Sequence, residues 1–139
     1  MIKYVKLSLL FVLGGLLLIG CGGAEEVAST GPSVQIVSPS DGAEVTSPVK
    51  FQMAAANYTI EPAGEVKDNH GHFHLLVDTG CMDEGEVIPG TAGYNHYGKG
   101  QFEAELELEP GEHTVCLQVG DGVHAATTLT DEITITVTE

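Results

Sequence analysis

Apolar and polar positions alternate with period two along much of this 139-residue chain. Val49, Phe51, Met53 and Ala55 alternate with Lys50, Gln52 and Ala54. Phe102, Ala104, Leu106 and Leu108 alternate with four glutamates at 103, 105, 107 and 109. Val115, Leu117 and Val119 alternate with Thr114, Cys116 and Gln118, and Ile133, Ile135 and Val137 with three threonines. Successive side chains on a strand point to opposite faces, so each run predicts a strand with one buried and one wet face. Glu109-Pro-Gly-Glu112 predicts a tight hairpin turn between the two central runs. Ser33–Ser38 predicts a first strand, closed by the turn Pro39-Ser-Asp-Gly42. From Cys21 onward no stretch has helical periodicity. Six to seven short strands over residues 33–139 point to an all-β, immunoglobulin-like β-sandwich. The glutamates on 102–109 read as a solvated outer face that discourages edge pairing.

The first twenty residues break this pattern. Lys3 and Lys6 precede an apolar run from Leu7 to Ile19 that is too short for a stable membrane span and fits a cleaved signal sequence. Leu18-Ile19-Gly20-Cys21 resembles the lipobox of bacterial lipoprotein signal peptides. That resemblance implies cleavage before Cys21 and acylation of its sulfur, with an ordinary signal peptide as the alternative. Several acyl chains hold a protein on a bilayer durably, at about 0.8 kcal/mol per buried CH₂. Gly22, where sorting signals in Gram-negative cells place an aspartate, implies the outer membrane in such a host. The expected organisation is a lipoprotein signal peptide at 1–20, a lipidated flexible tether at 21–32 and the sandwich at 33–139.

Processing would leave 119 residues with three lysines, no arginine and 20 acidic residues, a net charge of −17 with neutral histidines. Such a surface repels phosphate backbones and excludes nucleic acid as a partner. It is also repelled by anionic headgroups, so the membrane contact falls to the lipid. The acidity reads as plain solubility or as attraction of cations. Cys81 and Cys116 form an even pair in an oxidising compartment and are expected to be disulfide-bonded; two free thiols or two thiolate ligands are the alternatives.

The chemistry lies in six histidines. In Asn69-His-Gly-His-Phe-His-Leu-Leu-Val-Asp78 a strand sends Phe73, Leu75 and Val77 to the core and His70, His72 and His74 to the outer face. Pairing this strand antiparallel with 113–119 brings His124 beside His72 and His74, and Cys81 beside Cys116. Residues 79–99 form a long glycine-rich segment, expected to be an ordered functional loop, and its His96 can fold back over the sheet. Imidazole suits copper, zinc and nickel far better than calcium or magnesium. The expected ligands are therefore His72, His74, His96 and His124, for copper or zinc, with Asp78 and Asp121 orienting the rings. His113 reads as structural, capping the hairpin, and His70 as an exposed turn residue. The bland alternative is a set of exposed histidines contacting a protein or glycan of the envelope. Cys81-Met-Asp-Glu-Gly-Glu86 is acidic but lacks EF-hand spacing. No nucleophile–base–orienter set and no paired carboxylates suggest an enzyme, although copper-dependent redox chemistry stays open.

Gly71-His-Phe-His-Leu-Leu-Val-Asp78, His96-Tyr-Gly-Lys-Gly-Gln101, Pro110-Gly-Glu-His-Thr-Val115 and Gly120-Asp-Gly-Val-His124 resemble a bacterial family of exported domains of unknown function. The likeness spans roughly residues 34–138. It implies a histidine-decorated sandwich outside the cytoplasm, with His72, His74, His96, His113 and His124 recurrent and no assigned activity. Family members often carry a further histidine and prolines where this chain has Ala125-Ala-Thr-Thr128. If that histidine is a ligand elsewhere, this site has one fewer.

Overall fold

The computed structural model describes residues 30–139. The leader, the lipobox with Cys21 and most of the tether lie outside the described residues. Nine strands follow in order: β1 (Ser33–Ser38), β2 (Glu44–Thr46), β3 (Val49–Ala56), β4 (Thr59–Ile60), β5 (His70–Val77), β6 (Tyr94–Tyr97), β7 (Glu103–Leu106), β8 (Gly111–Gly120) and β9 (Ala126–Thr138). One sheet has the order β1-β3-β7 and the other β2-β9-β8-β5-β4, with β6 also paired to β5. The two pack face to face as an immunoglobulin-like β-sandwich. Among the described residues no helix is long and apolar enough to cross a membrane.

The alternation places the core. Val49, Phe51 and Met53 from one sheet meet Phe73, Leu75, Val115, Leu117, Val119, Ile133, Ile135 and Val137 from the other. These are the positions expected to face inward. The register of β5 on β8 is also as expected: His72 pairs with Gly120 and Val77 with Val115.

Two expectations are corrected. Glu109-Pro-Gly-Glu112 does not close a hairpin, because β7 pairs with β3 in one sheet while β8 pairs with β5 and β9 in the other. The connection crosses between sheets. Alternation identifies a strand's apolar face but carries no information about its hydrogen-bonded neighbour. Nor do β5 and β8 have a wet outer face; β5 is buried on both sides from Gly71 to Val77. The segment after Asp78 folds across the outer face and builds a second apolar cluster from Leu76, Ile88, Cys116 and Ala126, with Met82 and Tyr94 against it. Two backbone bonds, Gly85 N–H to Ala126 O (2.8 Å) and Ala126 N–H to Glu86 O (2.7 Å), dock it there. The Cys81–Cys116 disulfide, with Cα atoms 5.5 Å apart, ties its start to β8.

Glutamates 103 and 105 stand exposed on β7, the edge strand, as the solvated-face reading expects.

Candidate metal centre

β5 presents His72 and His74 on the outer face of its sheet, two residues apart and so on the same side. β6 lies antiparallel beside β5 and sets His96 opposite His74. His124 arrives from the turn just beyond β8, whose Gly120 pairs with His72. The rings of these four residues come together from three stretches of chain. All six ring-centroid separations fall between 4.7 and 5.8 Å. Nε2 of His72 and Nε2 of His74 are 3.0 Å apart, and those of His96 and His124 are 3.2 Å apart. His72, His74 and His96 can each offer a nitrogen within 4.8 Å of the other two. Four nitrogens ~2.0 Å from a tetrahedral zinc would stand ~3.3 Å from one another, and adjacent nitrogens of a square-planar copper ~2.8 Å. The two measured pairs lie between these values.

Burial gives the cluster its chemistry. His72 is 0 % and His74 1 % exposed, whereas His96 lies at the surface and His124 is half-buried. Burial first, then the neighbouring His96 and His124, lowers the His72 pKa to about 4 against the opposing Asp121 carboxylate. Burial, then His72, His96 and His124, lowers His74 to about 3. His96 is lowered by burial and by His124. The three rings are therefore neutral at physiological pH, the state in which imidazole ligates a cation.

Nδ1 of His72 and Nδ1 of His74 are buried without a hydrogen-bond partner. Two neutral rings that share one Nε2–H between them leave one unpaired donor and one unpaired acceptor at these positions. Each such orphan costs about 1–3 kcal/mol. Two apolar residues of similar volume would avoid that cost, so stability alone does not account for two imidazoles here.

The expected orienting carboxylates make no hydrogen bond to the cluster rings. Asp78 instead accepts from His113 Nδ1 (2.7 Å) and from the Thr114 N–H (3.0 Å). His113 Nε2 donates to the Glu109 carbonyl at 2.8 Å. His113 is structural, as expected, but it pins the crossover between the sheets rather than a hairpin. The same two acceptors raise its pKa, the Glu109 carbonyl most. Asp121 accepts from the N–H groups of Val123 (2.9 Å) and Ala125 (2.8 Å), which shapes the turn that carries His124. His70 lies outside the cluster, with Nδ1 donating to the Asp68 carbonyl at 2.7 Å. Cys81 and Cys116 also stand close to Glu132, but as a disulfide they offer no thiolate.

Three contributors escaped sequence reasoning. A Cβ on Gly120 would lie 2.8 Å from His74 Nε2, and one on Gly98 would collide with the His96 ring. Both glycines leave room for an imidazole, and the only trace in the sequence is a glycine at the end of each strand. Gln118, fully buried, accepts from Met82 N–H (2.9 Å) and donates to the carbonyls of Met82 (2.9 Å) and Thr127 (3.0 Å). It clamps the covering segment to the sheet. Ile88 N–H then donates to the His124 carbonyl at 2.9 Å, closing that segment against the histidine turn.

His124 has φ 71°, in the left-handed region where a side chain is unfavourable and glycine is not. The position therefore separates folding from ligation. His124→Gly is expected to leave the thermal midpoint of the metal-free protein unchanged or slightly raised. It should weaken metal binding tenfold or more, about 1.4 kcal/mol. Calorimetric unfolding and a metal titration on the same preparation check this. A lowered midpoint with unchanged metal affinity would mean that His124 serves the turn alone.

A family model described as a domain of unknown function, DUF4399, matches residues 49–138. No curated protein matches by sequence. Among solved structures, the fibronectin(III)-like modules of Clostridium thermocellum CbhA are 23% identical, with 75% of this chain and 94% of that one covered and a TM-score of 0.44. The endo-beta-1,4-mannanase of Thermotoga petrophila is 18% identical with a TM-score of 0.47, covering 78% of this chain and 20% of the mannanase.

Proposed function

The chain belongs to the DUF4399 family of domains of unknown function, and on that footing we propose that it is a cell-envelope lipoprotein that binds one copper or zinc ion. The ligands are His72, His74, His96 and His124, and the role is that of a carrier, buffer or sensor. One observation carries this reading: two fully buried neutral imidazoles face each other through Nε2 at 3.0 Å, with two more rings closing over them. An all-imidazole donor set selects a borderline transition metal over calcium or magnesium. The acidic surface supports it by drawing cations toward the domain at low ionic strength. Burial counts against a surface contact made by His72 and His74, leaving only His96 and His124 for a protein or glycan. Export, acylation of Cys21 and, in a Gram-negative host, residence at the outer membrane rest on the leader sequence.

The test is metal analysis of untagged full-length protein, followed by equilibrium dialysis against Cu²⁺ and Zn²⁺. One equivalent bound per chain is expected. Binding no tighter than that of a variant lacking His72 and His74 would overturn the reading.

A further inference from the structure

Three of the four histidines, His74, His96 and His124, face open space on one side of the cluster. A cavity of about 240 Å³ lies over His74, His96 and His124, roofed by Val87, Ile88 and Pro89 with Gly90. At ~30 Å³ per liquid water it is larger than an ion and one water require. Among the described residues the imidazoles are the only polar side chains on its lining; the roof supplies aliphatic groups and no charge. Val87 is 66% exposed, so the cavity opens to solvent past it.

Taking the metal reading above as its premise, we infer that this cavity is a ligand port, in which an uncharged imidazole-type nitrogen donor displaces water from the bound ion. The walls decide the class. An entering anion would lose its hydration and find no side-chain donor on the roof to replace it. The strongly acidic chain adds a further penalty. A flat neutral heterocycle loses little hydration, packs its ring against Val87, Ile88 and Pro89, and gives one lone pair to the ion. The donor can be a free heterocycle or a histidine side chain of a protein that exchanges the ion. The second would let the metal pass between chains by ligand replacement, without release into solution.

The experiment titrates Cu²⁺-loaded full-length protein with 4-methylimidazole, with azide and with a capped pentapeptide holding one central histidine. Visible absorption and electron paramagnetic resonance report the copper ligands. The copper spectrum should change and saturate with 4-methylimidazole at concentrations at least tenfold below those that azide needs. Val87→Phe, at an exposed position, should fill the mouth and weaken that response tenfold while copper affinity stays the same. A response to the pentapeptide as well would identify a partner's side chain as an admissible donor; a response to the free heterocycle alone would restrict the port to small molecules. Bound copper whose spectrum ignores 4-methylimidazole, or azide binding as tightly, would overturn the inference and leave the metal reading intact. Failure to bind copper would overturn the inference, and failure to bind zinc as well would overturn the metal reading.

Discussion

Replacing His72 and His74 together by alanine is expected to lower metal affinity roughly a thousandfold. The two rings are half of the proposed donor set and the half most shielded from water. Structural zinc sites with four ligands bind with about 10 kcal/mol or more, so loss of two ligands removes about 5 kcal/mol, a thousandfold or more at about 1.4 kcal/mol per tenfold. The metal-free fold should change far less, because two effects oppose each other. Truncation leaves space in a packed region, but it also removes the two orphaned Nδ1 atoms. His70→Ala should leave affinity unchanged, because that ring is engaged with Asp68 away from the cluster.

The same variant carries a pH signature. An unfolded histidine titrates near 6.5, whereas folded His72 and His74 titrate at about 4 and about 3. Between these values the unfolded chain binds more protons than the folded one, so stability rises with pH across that window. The contribution is complete above pH 6.5 and is lost as the solution is acidified toward 4. His113 has the opposite sign. Its raised pKa adds stability below 6.5 that fades as pH rises through the folded value. Urea unfolding of metal-free wild type and double variant at pH 7.5 and 5 isolates the pair: wild type should lose more stability on acidification. Equal losses would show that the two rings are not buried as neutral groups.

Loss of the disulfide should have the next largest effect. Cys81 and Cys116 are 35 residues apart in sequence, and closing a loop of that length stabilises a fold by about 4 kcal/mol through the unfolded chain. The bond also anchors the segment that covers the outer face of β5 and β8. Cys81→Ala/Cys116→Ala is therefore expected to lower urea-unfolding stability by 2–5 kcal/mol and also to weaken metal binding, because Ile88 and the segment bonded to His124 are held less firmly. The second effect distinguishes a roof over the site from a remote staple. If metal affinity survives while stability falls, the covering segment has no part in ligation.

The sandwich core was legible because alternation is a local property: Phe73, Leu75 and Val77 had to share a face, and His72 and His74 the other. The β5–β8 register was legible because two independent demands, Cys81 near Cys116 and His124 near His72, required the same pairing. The cover over the histidines was not legible. Val87 to Gly90 lie in a glycine-rich segment with no periodicity, and their docking depends on Gln118 bonds to the Met82 backbone. β6 was missed for a related reason: Tyr94-Asn-His-Tyr97 is short and polar, and only its ladder to β5 makes it a strand. The hairpin expected at Pro110-Gly111 failed because a turn sequence fixes a change of direction, not the sheet to which the next strand belongs. The carboxylates were misplaced because Asp78 and Asp121 each have nearer backbone donors than any cluster ring.

Metal K-edge X-ray absorption of the loaded full-length protein tests most directly whether the four imidazoles share one ion. The expected spectrum has three to four nitrogens at ~2.0 Å with the outer-shell scattering of imidazole rings, at one ion per chain. A shell dominated by oxygen, or one containing a single imidazole, would contradict a common site at His72, His74, His96 and His124.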